Sequence, residues 1–363
     1  MSDTPSEAFP SQPPTESIPF EQIRSLVESE FQVEEGFLEY GVPTFYITQQ
    51  EDSKKAFLRL VKRLDPLSLV PILRRREEKI VLQAIRKPPT KSSRKTINIT
   101  LLFATLATVF IAGYFQSSDV TDAVMFTGAI MAILGSHEMG HKIAADKHGV
   151  EATYPYFVPG PPPIGTFGAV IQQKSLPPNR DALFDLGSAG PIVGFLVAIA
   201  VTIVGVPLSN YGWAPPDAPT LPVSILFEFV ARWFPPLGEL PPRPDPSSVP
   251  VVFLHPVAFA GWVGMIVTVL NLLPVGMFDG GHIARTFLGE RIRTILSYLS
   301  ITAFLILGLL VWEAFLMWAV IAIFFAFMRH PGPLDDASKV TTGRKLAALG
   351  MVAIFFLSFP FLI

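Results

Sequence analysis

The chain has 363 residues, half of them hydrophobic and 16% charged, with 30 phenylalanines and a mean hydropathy of +0.44. That balance excludes an ordinary soluble chain and predicts a polytopic α-helical membrane protein. There is no cysteine, so any metal must be held by His, Asp or Glu, and a net charge of −2 speaks against a nucleic-acid partner.

Residues 1–16, MSDTPSEAFPSQPPTE, are polar and proline-rich without an apolar run, and read as a disordered tail rather than a signal peptide. Residues 17–95 read as a small soluble, cytoplasmic α+β domain. FEQIRSLVESEF places apolar residues at helical spacing, and EDSKKAFLRLVKRLD does the same, with Asp52 or Ser53 as its N-cap. VPTFYIT is β-branched and aromatic, and predicts a strand. LSLVPILRRR and EKIVLQAIRK read as a strand pair. No chemical motif lies in this module.

From residue 96 the chain turns apolar and forms the membrane domain, 96–363. A spanning helix needs about 20 mostly apolar residues. Seven segments meet or approach this: 96–118, 123–145, 186–207, 251–273, 294–312, 314–328 and 346–363. The fifth and sixth come from one run holding a single charge, Glu313, which is read as the turn between two crossings. Basic residues arbitrate, because they concentrate in cytoplasmic connections. Fifteen Lys and Arg precede Thr96, eleven fall in the connections then placed inside, and only Arg232 and Arg243 fall outside. A single crossing at 294–328 would put Arg329, Lys339, Arg344 and Lys345 outside. In the outer connection, LPVSILFEFVARWF reads as an interfacial amphipathic helix. The inner connection, 150–180, contains YPYFVPGPPPIGTFGAVIQQKS. It is too broken to span and reads as a re-entrant loop or a β-hairpin dipping toward the membrane.

The second segment runs into GSHEMGHKIA. His137 and His141, four residues apart, share one helix face and can grip a single cation, with Glu138 close enough to act on water at that cation. This is the H-E-x-x-H arrangement of zinc hydrolases. Ionisable groups in a span cost roughly 2.5–3.5 kcal/mol each on insertion scales, so a cluster of them needs a reason. A catalytic zinc wants a third protein ligand and an open position. Asp279, in NLLPVGMFDGGHIAR, follows another apolar segment of the same direction, so both motifs reach the cytoplasmic half of the membrane.

HEMGH and NLLPVGMFDGG together resemble the site-2 protease family of intramembrane zinc metalloproteases, the second through the pattern N-x-x-P-x-x-x-x-D-G. SAGPIVGF from Ser188 is similar to that family's central small-residue helix. GTFGAVIQQKS and NRDALFDLGSAGP look like its archaeal and chloroplast or cyanobacterial branch. No pair of CBS motifs and no PDZ insertion is visible. The resemblance implies a Zn2+ cofactor held by His137, His141 and Asp279. Glu138 would be general base, and Asn271 a catalytic neighbour that orients substrate or stabilises an oxyanion. It implies hydrolysis of transmembrane protein substrates in the bilayer, releasing a cytoplasmic fragment. The absence of a transit-like N-terminus points to a prokaryotic, archaeal cell membrane. Two alternatives from other classes are a catalytically silent scaffold that binds membrane proteins, and a zinc or ion transporter.

Elsewhere, His282 reads either as a donor to the ligating carboxylate or as a cap or surface residue. His255 reads as structural, and His148 and His330 as solvated. Gly187, Gly190 and Gly194 read as close helix packing. PIGTFGAV is expected either to hold an unwound substrate by strand addition or to plug the site.

Overall fold

The computed structural model describes residues 18–48, 52–88, 95–327 and 331–361; the tail over 1–16 and His330 lie outside them. The chain divides into two compact units, residues 1–89 with 335–337, and residues 90–334 with 338–363.

In the first unit, α1 (Phe20–Glu28) buries Ile23 and Val27, and α2 (Ser53–Leu64) buries Ala56, Phe57, Leu60 and Leu64. Asp52 stands at the N-cap of α2, though its side chain makes no capping bond. The antiparallel sheet comprises β1 (Val33–Glu39), β2 (Val42–Ile47), β3 (Leu69–Arg76) and β4 (Lys79–Arg86), in the order β1-β2-β4-β3. Strand β1 is not among the elements that the sequence pattern predicts. VEEGFLE carries three glutamates and no clean alternation, so it lacks the signature of a half-buried strand. It forms as an edge strand, because Tyr40 and Gly41, both at positive φ, turn the chain back against β2.

The second unit is mostly helical. Its first helices are α3 (Lys95–Ser117), α4 (Val120–Lys147) and α5 (Arg180–Gly205). After them come α6 (Ile225–Trp233), α7 (Pro256–Leu272), α8 (Asp279–Leu310), α9 (Ala314–Ala326) and α10 (Thr342–Ser358). Among the described residues four helices, α3, α4, α8 and α5 with its extension to Leu208, are long and apolar enough to cross a membrane. Helices α7 and α9 are apolar but shorter. Asp119 starts α4 cleanly, its carboxylate accepting from the backbone N–H groups of Thr121 and Asp122 at 2.7 and 3.0 Å. Central α5 packs on α4, α7 and α8. Phe126, Ile130, Trp262, Met265, Phe304 and Trp318 belong to the main core. Helix α6 buries Phe227 and Val230 and exposes Ile225, Phe229 and Trp233 on its other face.

Two segment boundaries need correction. The apolar run at 251–273 is not one helix, since its β-branched start belongs to a strand, VPVVF, and Pro256 then fixes the first helical turn. The run at 294–312 begins inside a longer helix, because α8 starts at Asp279 and breaks at Gly289 (φ 75, ψ 178) before continuing. The charged residues Arg285, Glu290 and Arg293 hid that first part from a search for apolarity.

The connection over 150–180 forms a hairpin of β5 (Tyr156–Pro159) and β6 (Thr166–Val170). It runs along α3. Asn98 Nδ2 donates to Tyr154 O (2.9 Å), Thr108 Oγ1 to Gly165 O (2.7 Å) and Gln116 Nε2 to Pro163 O (3.0 Å). Asn98 and Gln116 are separated by roughly 27 Å along the helix axis, so base and tip of the hairpin meet opposite ends of α3. The polar residues of this apolar helix thus satisfy the carbonyls of the hairpin. Between α5 and α7, β7 (Asn210–Ala214) leads to β8 (Val223–Ser224), and β9 (Val249–Phe253) returns to pair with β7. Strand β10 (Pro360–Phe361) pairs with β8.

Candidate metal centre

His137, Glu138 and His141 lie in the second half of α4. His137 and Glu138 are buried, and His141 is half-buried. Helical spacing aligns the two imidazoles, whose Nε2 atoms stand 3.1 Å apart. Glu138 is the next residue along from His137, and β6 packs against the helix that carries it.

Asp279 arrives from the other motif. Helix α7 stops because Pro274 forces extended backbone on Leu273, its C-cap. The chain turns through Gly276 (φ 46) and re-enters a helix at Asp279, the first residue of α8. There a carboxylate also suits the positive helix terminus. Gly280 makes the turn possible, since a β-carbon on it would lie 2.0 Å from the Leu272 carbonyl oxygen. Asp279 Oδ2 ends 3.3 Å from both His137 Nε2 and His141 Nε2.

The three donor atoms therefore form a triangle with edges of 3.1, 3.3 and 3.3 Å. Tetrahedral zinc with donors at about 2.0–2.2 Å separates them by about 3.3–3.6 Å, so this triangle fits one face of its coordination shell. A nitrogen and oxygen set without sulfur suits that ion too. The fourth vertex belongs to no other His, Asp or Glu among the described residues. Asn271, in the last turn of α7, brings Nδ2 to 3.3 Å from His137 Nε2. Asn271, His137, His141, Asp279 and Glu138 are thus brought together as a group.

Helix α5 supplies the mould. A β-carbon at Gly190 would sit 2.1 Å from His141 Nε2, and one at Gly194 would sit 3.0 Å from His137 Nδ1. One at Gly187 would sit 2.8 Å from His282 Cβ and 2.9 Å from the Asp279 carbonyl oxygen. The absence of side chains at these three positions admits both imidazoles and the start of α8. His141 Nδ1 reaches the Leu186 carbonyl oxygen at 2.7 Å, which makes Nδ1 the donor and leaves the Nε2 lone pair free for a metal. Leu186 has no signal in sequence as a partner of His141. The glycines carry one in their i, i+3, i+7 spacing, which marks a single helix face.

Other titratable residues sort themselves. His282 is 7% exposed in the first turn of α8, close to Asp279, which removes the surface reading. His255 caps α7, accepting from Val257 N and meeting Asp122 Oδ1 at 3.0 Å, a structural role. His148 is not simply solvated. Its Nε2 lies 2.8 Å from Asp185, which also takes a fork from Arg344 at 2.7 and 2.5 Å. Sequence distance hides this cluster, since Asp185 and Arg344 sit on α5 and α10. Glu313 stands between α8 and α9.

Fold and site together define a helical protein with membrane-crossing segments and a buried His–His–Asp cluster beside a glutamate. The chain belongs to peptidase family M50, the site-2 protease family, which residues 125–312, more than half of it, match. Its curated relatives include "Probable zinc metalloprotease EGY1, chloroplastic" from Oryza sativa subsp. japonica, 31% identical over 243 residues, covering 65% of this chain and 40% of the relative. The Arabidopsis thaliana protein of the same description is 30% identical over 242 residues, covering 65% and 42%. "Probable zinc metallopeptidase EGY3, chloroplastic" from Arabidopsis thaliana is 30% identical over 280 residues, covering 72% and 48%. The chain thus spans less than half the length of these relatives. No solved structure matches it significantly.

Proposed function

We propose that this chain is a zinc-dependent intramembrane endopeptidase that hydrolyses peptide bonds of transmembrane proteins. The observation that carries the reading is the triangle of His137, His141 and Asp279 donors with a buried glutamate beside it. Membership of a peptidase family, and relatives named as zinc metalloproteases, support it. Zinc held by the three ligands supplies a Lewis acid and lowers the pKa of water toward ~7. Glu138 takes the proton of the attacking water and returns it to the departing amide nitrogen as the C–N bond breaks. With His137 Nε2 engaged as a ligand, the Asn271 amide is free to donate to the carbonyl oxygen of the scissile bond. A scaffold or a transporter would have no use for Glu138.

A transmembrane helix hides its peptide bonds, so the substrate must unwind at the site. Strand β6 packs against α4, the helix that carries Glu138, and is the natural holder of an extended segment. The distribution of basic residues supports a cytoplasmic position for residues 17–95 and a metal centre toward the cytoplasmic face, so cleavage releases a cytoplasmic fragment.

The test uses the full chain in detergent, with bound zinc measured and a model transmembrane substrate added. Glu138→Gln is expected to keep the metal and to lose cleavage by about 10²–10⁴-fold. Normal cleavage by that variant, or an unmodified chain that takes up no zinc, overturns the proposal.

A further inference from the structure

Arg293 is 2% exposed, in a helix that is otherwise apolar from Thr294 onward. A buried charge in such a place needs a named partner and a reason. One side of its guanidinium faces Glu290, with Nε and Nη2 at 3.0 and 2.5 Å from the carboxylate oxygens. The other side leaves α8 and donates from Nη1 to the Gly276 carbonyl oxygen at 3.2 Å. One turn on, Ser297 Oγ shares its proton between the Pro274 and Arg293 carbonyl oxygens, both at 3.0 Å, and accepts from the Gly276 N–H at 3.4 Å. Two side chains at i and i+4 thus satisfy three backbone groups of the short connection between α7 and α8.

That connection joins Asn271 to Asp279. Gly276 is wedged there from two further sides. A β-carbon on it would stand 2.0 Å from the Phe325 carbonyl oxygen of α9, and one on Gly281 would stand 2.4 Å from the Gly276 carbonyl oxygen. The carbonyl held by Arg293 therefore abuts the first turn of α8, the turn that carries Asp279. Any shift of Gly276 is passed directly to the metal-ligating carboxylate.

We infer that Arg293, assisted by Ser297, is a positioning residue for the metal centre, setting Asp279 through the Gly276 carbonyl. The inference rests on the zinc reading above. Groups that orient ligands from behind typically change metal affinity or activity by about 10–100-fold when removed.

The experiment measures zinc affinity of the full chain in detergent by competition with a chromophoric chelator, alongside kcat, KM and thermal stability. Arg293→Met and Ser297→Ala are expected to bind zinc about tenfold or more weakly and to lose kcat while KM holds. Arg293→Lys, which keeps the charge and one donor, recovers part of the loss. The control is Arg344→Gln, which breaks a comparable cluster with Asp181 and Asp185, away from the connection. It is expected to lower stability with zinc affinity unchanged. Should Arg293→Met fail to fold, Ser297→Ala and Arg293→Lys decide. Zinc affinity equal to the unmodified chain in the folded variants overturns the inference and leaves the zinc reading standing. An unmodified chain that binds no zinc overturns the zinc reading itself, and this one with it.

Discussion

An ideal β-carbon on Gly190 would lie 2.1 Å from His141 Nε2 and 2.5 Å from two further ring atoms. Neither side can yield easily, because the imidazole is anchored through Nδ1 to Leu186 O on the same helix that carries Gly190. Gly190→Ala should therefore displace a ligand rather than merely crowd the core. We expect zinc affinity to fall by about 10–100-fold, against an overpacking cost of about 1–3 kcal/mol in stability. Measuring metal retention and thermal stability together separates the two effects. A Gly190→Ala chain that is destabilised yet holds zinc normally would mean that α5 can slide away from α4. At this scale the sequence is an uneven guide. His137, Glu138 and His141 stand in a recognisable H-E-x-x-H spacing and Asp279 follows a second apolar segment, whereas Asn271 enters only through the resemblance to a known family. Leu186 acts through a backbone carbonyl, which no side-chain pattern announces. Arg293 acts on a backbone oxygen seventeen positions back, and looks in sequence like a charge marking the inner boundary of a span.

The elements that build the site are legible wherever one side chain type dominates a period. Helices α4 and α5 declare themselves by apolar runs, while the proline and glycine interruptions of 150–180 leave a re-entrant loop and a hairpin both open. What stays hidden is what two elements do jointly. Thr108 and Gln116 look in sequence like tolerated polar residues of a span. In the fold they hold the tip of the β5–β6 hairpin against α3. Gly165 lets the two approach, since a β-carbon there would lie 2.5 Å from Val109 Cα. Strand β6 pairs with β5 along one edge and packs against α4, the helix that carries Glu138. If it also holds substrate, proline placed along Gly165–Val170 should remove donors from that edge. Substrate binding should then suffer while the metal stays. We expect one or more of these variants to raise KM or abolish cleavage with zinc content unchanged. Normal cleavage by every proline variant would leave the hairpin as a cover rather than a clamp. Loss of zinc along with cleavage would point to collapse of the site instead.

Across the whole molecule, helix lengths and charge pull in different directions. Residues 290–310 cover roughly 31 Å, enough for the hydrocarbon core, whereas α9 covers roughly 20 Å and α10 roughly 26 Å. Length alone leaves the return through α9 short. Charge demands it, because Lys339, Arg344 and Lys345 lie beyond it and outer connections hold only Arg232 and Arg243. A shortfall of this kind can be met by local thinning of the bilayer or by neighbouring helices, at fractions of a kcal/mol per ångström. A single crossing would leave four cations, Arg329, Lys339, Arg344 and Lys345, on the outer face, so the basic-residue bias favours the return crossing. The chain carries no cysteine, which makes the point directly measurable, since any single cysteine introduced reports alone. In intact cells, Leu237→Cys and Glu313→Cys should react with a membrane-impermeant maleimide. Lys147→Cys, Arg291→Cys and Lys345→Cys should react only after permeabilisation. The decisive position is 345. Labelling of Lys345→Cys from outside, with Lys147→Cys still protected, would mean that 294–328 crosses once and that α10 approaches α5 and α7 from the opposite face.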